Sequence, residues 1–434
     1  MADGKVINVT ELVDRQKFGP FHLKLMIWLF LVLILDGYDI SAASFANPEI
    51  IKQWSLAPES TKYFLTASLF GIMFGAVIFG WFGDKFGRKK AILSAALVFA
   101  GATIACALST TLDALTIFRF LCGVGIGGVM PNTISLAAEM APKRVQATLI
   151  ILMFTGTPAG SSLPGPIAAW VVPHYGWPMI FWIGGIIPLV IVALLFFTLP
   201  ESVKFLAQDD RRRAHTAKVA KAIEPTLSIG PDDRFVVDHA APEKKGSWLE
   251  LFRWPFTIIT PLLASLFIIN FVVLYFMNSW MPQLIGVWAT TVFGASGALG
   301  GVILSVFVDR KGLAPVTVLF ALAVPVIAGL GYSAPIPALA IVMAGAAGMC
   351  VVGLQFGLNA TAGMIYPTHV RSNGVGFAFG IGRFGAVAGP LIGGQLIAWK
   401  LPLHEMYLLA SIPMAIGAIA CYVLTRVQKR ARDA

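Results

Sequence analysis

Two aspartates, three residues apart, stand inside an apolar run in the order Leu35-Asp36-Gly37-Tyr38-Asp39. A charge in hydrocarbon costs at least ~2.5–3.5 kcal/mol, so such residues face protein or a water-filled cavity and mark a pathway, a relay or a ligand. The i, i+3 spacing puts both on one helix face. Burial and a neighbouring like charge each raise a carboxylate's pKa, which suits the pair to holding and releasing a proton. A purely structural pair neutralised by arginine is the alternative. Two arginines, Arg119 and Arg383, are immersed in the same way. A buried Arg needs a carboxylate or its cost is severe. Asp39 lies ~22 Å from the cytoplasmic end of its run and Arg119 ~9 Å from the outer end of its own, at 1.5 Å per residue. The matching depths make Asp39 the expected partner of Arg119. Arg383 lies ~12 Å in from the cytoplasmic side, and the second half of the chain offers no acid at intramembrane depth. That suits Arg383 to bind a carboxylate bidentately; a brace to an acid of the first half is the alternative. Glu139 precedes Pro142, Lys143 and Arg144. It is expected to pair with basic loop residues or with Arg88, holding a cytoplasmic gate.

The elements that position these residues are membrane spans. Of 434 residues, 57% are hydrophobic and 12% charged, with mean hydropathy +0.79. A soluble chain of this length could not cover so much apolar surface. Twelve apolar runs are each long enough to cross ~30 Å of hydrocarbon: 24–46, 62–82, 90–108, 113–138, 145–171, 177–199, 255–280, 284–308, 314–332, 337–362, 375–399 and 404–425. The formal charge of +10 follows this topology. With both termini cytoplasmic, 27 of the 32 Lys and Arg fall on the cytoplasmic side, as the positive-inside rule requires. That argues against nucleic acid as the partner. The first span is too long for the apolar core of a cleavable signal, which makes it an uncleaved signal-anchor. Cys106, Cys122, Cys350 and Cys421 lie in spans without metal-like spacing. No catalytic triad, metal-spaced His/Cys set or phosphate-binding glycine loop points to an enzyme.

A polar, basic stretch at 200–253 divides the spans six and six, giving a first bundle over 1–199 and a second over 254–434. Landmarks repeat between them. Asp84 and Asp309 are 225 residues apart, as are Pro142 and Pro367, and Gly165-Pro166 precedes Gly389-Pro390 by 224. Parallel six-span repeats are one transporter build, with the substrate site between the halves near mid-membrane. The intramembrane charges do not repeat: at offset 225, Asp36, Asp39 and Arg119 meet Pro261, Ala264 and Ala344. Proton handling is therefore expected in the first half and anion binding in the second.

The turn Gly80-Trp81-Phe82-Gly83-Asp84-Lys85-Phe86-Gly87-Arg88-Lys89-Lys90 resembles the signature loop of the major facilitator superfamily, and Val308-Asp309-Arg310-Lys311-Gly312 is its weaker echo. Leu199-Pro200-Glu201-Ser202 resembles the sugar and organic-ion branches. Asp36-Gly37-Tyr38-Asp39 narrows the resemblance to the aromatic acid:proton symporter family, although the connection between spans seven and eight is shorter than in that family. The resemblance implies an all-α membrane protein, twelve transmembrane helices in two pseudo-symmetric six-helix bundles. It implies import of benzoate-type acids with protons as the coupling ion, no other cofactor, a bacterial inner-membrane location and a functional monomer. Coupling falls to Asp36, Asp39, Arg119 and Glu139, and gating to Gly83, Asp84, Gly87, Arg88, Arg144, Asp309 and Arg310. Spans one, four, seven and ten line the cavity in the superfamily. That brings Tyr38, Asn270, Tyr275, Phe276, Asn278, Gln355 and Asn359 to the substrate beside Arg383. Another organic anion, proton-coupled efflux (the Gly156-to-Pro166 stretch is exporter-like) and a membrane chemoreceptor are the rival functions.

Overall fold

A computed structural model describes residues 5–230, 233–237, 250–251, 253–366 and 368–433. Among them, eleven helices are long and apolar enough to cross a membrane. In chain order the elements are β1 (Val6–Asn8), α1 (Val9–Asp14), α2 (Pro20–Gln53), a 3-10 turn (Pro58–Thr61), α3 (Lys62–Phe86), α4 (Arg88–Ala107) and α5 (Leu112–Met140). Next come α6 (Lys143–Phe154), α7 (Gly156–Ser162), α8 (Pro164–Tyr175), α9 (Pro178–Thr198), α10 (Val203–Leu206), a 3-10 turn (Asp210–Arg212), α11 (Arg213–Ile223) and β2 (Arg234–Val236). The chain closes with α12 (Phe256–Leu284), α13 (Val287–Lys311), α14 (Ala314–Ser333), α15 (Pro337–Ile365), α16 (Thr368–Ala398) and α17 (Leu403–Asp433).

The run expected as a fifth span is divided into α6, α7 and α8, each too short to cross alone. Gly156, Pro158, Gly160, Pro164, Gly165 and Pro166 crowd this stretch. Glycine and proline weaken helix continuity, and broken backbone at membrane depth is tolerated where protein covers it. Here it is covered: a Cβ on Gly160 would run into the Ile34 carbonyl of α2. Spans seven and eight form a tight hairpin, with only Ile285 and Gly286 between α12 and α13 and Gly286 at φ +130°.

The chain forms two compact units. The first holds Met1–Gly37, Phe70–Gly160 and Phe181–Pro242. Its apolar core runs from Ile7 and Phe235 through Leu29 and Leu33 of α2 to Leu136, Met153 and Leu195. Strands β1 and β2 pair in parallel, Val6 opposite Arg234 and Asn8 opposite Val236. The second unit holds Tyr38–Leu69, Ser161–Ile180 and Glu243–Ala434. Within it α12 packs along α16, α13 along α15 and α14 along α17, while α8 meets α13 and the 3-10 turn at Pro58–Thr61 meets α16. Trp170, Tyr175, Trp288, Tyr332 and Trp399 are exposed near helix ends, as expected of aromatic anchors at a membrane interface.

Candidate functional site

The first unit holds Asp36 and Arg119. Asp36, 5% exposed, lines a narrow cavity with Val32, Phe99, Ile126, Val129 and Val192. The cavity offers about 10 Å³, the lower limit of what one water needs. Arg119 is fully buried, its guanidinium carbon 6.0 Å from the Phe181 ring centre. The glycines after Arg119 let α5 approach its neighbours closely: a Cβ on Gly125 would meet Ala95 and Phe99 of α4, and one on Gly127 would meet Ile72 of α3.

The turn between α3 and α4 lies in the same unit. Arg88 donates through Nε to Glu139 Oε1 at 3.2 Å and through Nη1 to Asp84 Oδ1, joining the ends of α3, α4 and α5. Glu139 thus meets Arg88 and not the loop bases. Lys143 pairs instead with Asp14 at 3.2 Å, and Arg144 donates to the Gln16 carbonyl. Gly87 caps α4 at φ +108°, where only glycine is at ease. A Cβ there would strike Glu201. Glu201 Oε1 accepts from the Lys89 and Ser202 amides, each at 3.0 Å, so its carboxylate serves the open N-terminus of α4. Burial raises its pKa above the ordinary value and outweighs these hydrogen bonds. Glu201 stands in the Leu199–Ser202 motif, and nothing in its type or spacing signals this contact with α4. A Cβ on Gly83 would meet Asn132, whose amide donates to the Phe79 and Gly128 carbonyls.

The second unit holds Asp39, fully buried, and Arg383, half-buried. Helix α2 is continuous through both aspartates, so they share a helix face while falling in different units. The Arg383 guanidinium carbon lies 4.8 Å from the Phe379 ring centre and 5.8 Å from that of Phe271. Asn270, fully buried on α12, donates to Gln355 Oε1 on α15 at 3.0 Å, and Gln355 donates onward to Asn359 Oδ1 at 3.3 Å. These three amides form one chain. Other residues expected at the substrate are committed to protein contacts. Tyr38 donates to the Ile180 carbonyl at 3.0 Å, and Phe276 is buried against Tyr407. Asn278 and Ser41 are hydrogen-bonded at 3.4 Å. Tyr275 stacks near Phe271. The side chains of Asp309 and Arg310 lie outside what is described.

Of Phe271 and the polar pairs that join α2 to α12 and to Trp177 the sequence gives no sign, and of Phe379 only its spacing. Phe379 stands one helical turn before Arg383, a spacing that could have flagged it. Nothing local flags Phe271. Asn47 donates to Gln283 at 3.2 Å and Trp177 to Gln53 at 2.6 Å.

The family model of the Major Facilitator Superfamily matches residues 29–287. The chain belongs to the Major Facilitator Superfamily. Its relatives in this superfamily are aromatic-acid transporters over nearly the whole length. A gallate transporter of Pseudomonas putida is 31% identical over 99% of this chain and 97% of that one. A benzoate transport protein of Acinetobacter baylyi is 32% identical over 96% and 92%. The 4-hydroxybenzoate transporter PcaK of the same organism is 32% identical over 97% and 95%. The superfamily fold recurs in solved structures. An inward-facing, occupied bacterial homologue of the lysosomal transporter Spinster gives a TM-score of 0.73 at 14% identity, over 95% of this chain and 98% of that one. The partially occluded xylose transporter XylE of E. coli gives 0.68 at 17%, over 92% and 97%. The protein is thus a multi-pass membrane transporter and not an enzyme.

Proposed function

We propose that this transporter imports small aromatic carboxylates, such as benzoate or hydroxybenzoates, together with protons, by alternating access across a bacterial inner membrane with both termini cytoplasmic. The observation that carries the reading is the pair of buried carboxylates, Asp36 and Asp39, on one face of a membrane-spanning helix. The relatives support the cargo class, since they are named for gallate, benzoate and 4-hydroxybenzoate. Asp36 and Asp39 take up the proton, with Arg119 beside the relay and Glu139 in the cytoplasmic gate. Arg383 receives the substrate carboxylate, and the amide chain of Asn270, Gln355 and Asn359 reads ring hydroxyls.

The energetics require a co-ion. A monoanion entering against an inside-negative potential climbs ~2.3 kcal/mol per 100 mV. One proton cancels that cost, and a second turns the potential into a driving force. The test is uptake of a labelled benzoate and hydroxybenzoate panel into proteoliposomes, with and without an inward proton gradient. Wild-type protein is expected to accumulate at least one acid only with the gradient. Asp36→Asn is expected to abolish accumulation, and full accumulation by that variant would sink the coupling role. Lack of uptake of every aromatic acid by folded protein would turn the assignment to another anion or to efflux.

A further inference from the structure

The first unit carries a set of lysines that the transport cycle does not use, and they stand beside exposed rings. Lys89, at the start of α4, donates from Nζ to the Phe196 carbonyl at 2.7 Å and lies 5.9 Å from the Phe196 ring centre. That carbonyl is among the last four of α9, which have no partner within the helix, so the ammonium sits at the end of α9. Phe196 is 61% exposed, and Phe197, at 83%, is the most exposed large apolar side chain among the described residues. In a multi-pass membrane protein such a pair faces acyl chains, which puts Lys89 at the edge of the hydrocarbon. The arrangement recurs at the end of α3. Lys85 lies 4.9 Å from the Trp81 ring centre and 5.4 Å from that of Phe86, and both rings are exposed. Long basic side chains lay their stems along apolar surface in this way and keep the charge at the wet edge.

A second cation comes to the same place from the amphipathic helix α11. It buries Thr216, Ala220 and Ile223 and exposes His215, Lys218 and Lys221 on the opposite face. Lys218 lies close enough for its charge to act on Lys89. Glu201 also acts on Lys89, but its carboxylate is bonded to the Lys89 and Ser202 amides, and Asp84 pairs with Arg88. The surplus is positive, and two ammonium groups held near one another repel unless an anion lies between them. We propose that Lys89 and Lys218 bind the phosphate of an anionic phospholipid whose acyl chains lie along Phe196 and Phe197. An ammonium has three donors, and Lys89 uses one on Phe196. The rings select a lipid over free phosphate, because a soluble anion leaves them uncovered. The lysines select the headgroup. Choline and ethanolamine bring a cation of their own, which the lysines repel, whereas a glycerol headgroup leaves the phosphate charge uncancelled. Bound there, the lipid ties α11 to the ends of α4 and α9. None of this depends on what is transported or on proton coupling.

The experiment titrates the full-length protein in detergent with dioleoylphosphatidylglycerol, dioleoylphosphatidylcholine or glycerol 3-phosphate and follows bound molecules by native mass spectrometry. Wild type is expected to hold phosphatidylglycerol at least about tenfold more tightly than phosphatidylcholine. Lys218→Gln should weaken phosphatidylglycerol by about fivefold, the worth of one lysine near an anionic surface. Lys89→Gln combined with Lys218→Gln should weaken it by about twenty-five-fold, with phosphatidylcholine unchanged in both variants. Lys218 is exposed, so its single variant carries the test if the double variant does not fold. Lys400→Gln, in the second unit, removes the same charge and should change nothing. Equal affinity of wild type for the two lipids would overturn the inference, and so would phosphatidylglycerol binding that survives Lys218→Gln intact. An equal loss in Lys400→Gln would reduce the effect to net charge and overturn it as well. Glycerol 3-phosphate binding as tightly as the lipid would make the pair a site for soluble phosphates and overturn the assignment to lipid.

Discussion

The turn between α3 and α4 shows how far one side chain sets its neighbours. Gly87 has its backbone at φ +108° and has Glu201 where a side chain would go. Gly87→Ala meets both problems, the left-handed backbone costing about 1–2 kcal/mol by itself. Glu201 answers the amides of Lys89 and Ser202, and loss of a buried acceptor costs about 1–3 kcal/mol. Glu201→Ala should therefore lower the melting temperature of the detergent-solubilised protein by several degrees, while Glu201→Gln keeps an acceptor oxygen and should fall less. The sign of the pH effect is fixed as well. A carboxyl whose folded pKa is raised above its ordinary 4.5 binds protons more readily in the folded state, so its contribution is full below 4.5 and is lost as pH rises through the folded value. The melting temperature of wild type should accordingly decline, relative to Glu201→Gln, as pH climbs above that point. Parallel pH profiles for the two proteins would show that Glu201 is not the group responsible.

Among the elements, the strand pair carries the least sequence signal and makes the most specific contacts. Lys5 donates its amide to Asp233 Oδ1 and Gly230 donates to Oδ2, both at 2.8 Å, while the Arg234 amide donates to the Lys5 carbonyl at 2.9 Å. Arg15 pairs with Glu224 at 2.6 Å. The N-terminal segment thus holds Glu224, Asp233 and Arg234 on one side and, through Asp14 and Gln16, the start of α6 on the other. The Gly230 and Lys5 amides lower the Asp233 pKa, so this carboxylate is ionised and its bonds are intact throughout the neutral range, weakening only in acid below its ordinary 3.8. Asp233→Ala should speed hydrogen exchange at the Lys5 and Arg234 amides at pH 7, and unchanged protection there would mean that strand pairing holds without it. Two three-residue strands 228 residues apart leave no periodic pattern to read. The spans were legible because twenty-residue apolar runs have few other fates in water, whereas the fifth run, expected as one span over 145–171, is divided at its glycines and prolines. Hydropathy does not say which face of a span looks inward, so it does not foretell that Tyr38 donates to the Ile180 carbonyl or that Phe276 packs on Tyr407.

On the scale of the molecule, the second unit gathers the C-terminal end of α2, the N-terminal end of α3 and all of α8 with the helices from α12 onward. Polar pairs seal it. Ser41 meets Asn278, Asn47 meets Gln283, Trp177 meets Gln53, and a Cβ on Gly165 would run into Thr291 of α13. The first two pairs both join α2 to α12, six residues apart on α2 and five on α12, which is a seam running along both helices. In the proposed import cycle, loading of cargo from outside parts the ends of α2 and α12 that carry these pairs, so the seam opens once in every cycle. Neutral side-chain hydrogen bonds suit that duty, since each is worth only about 0.5–1.5 kcal/mol net and several can be broken and remade cheaply. A covalent bond at the same place cannot open. In the double variant Ser41→Cys, Asn278→Cys, oxidation should form a disulfide, stop uptake into proteoliposomes and raise the melting temperature, and reductant should restore transport. Replacing the four native cysteines, all buried, by alanine or serine leaves the engineered pair as the only thiols. Undiminished uptake by protein shown to be fully cross-linked would mean that cargo enters without parting α2 from α12, and the outer seam would then lie between other helices.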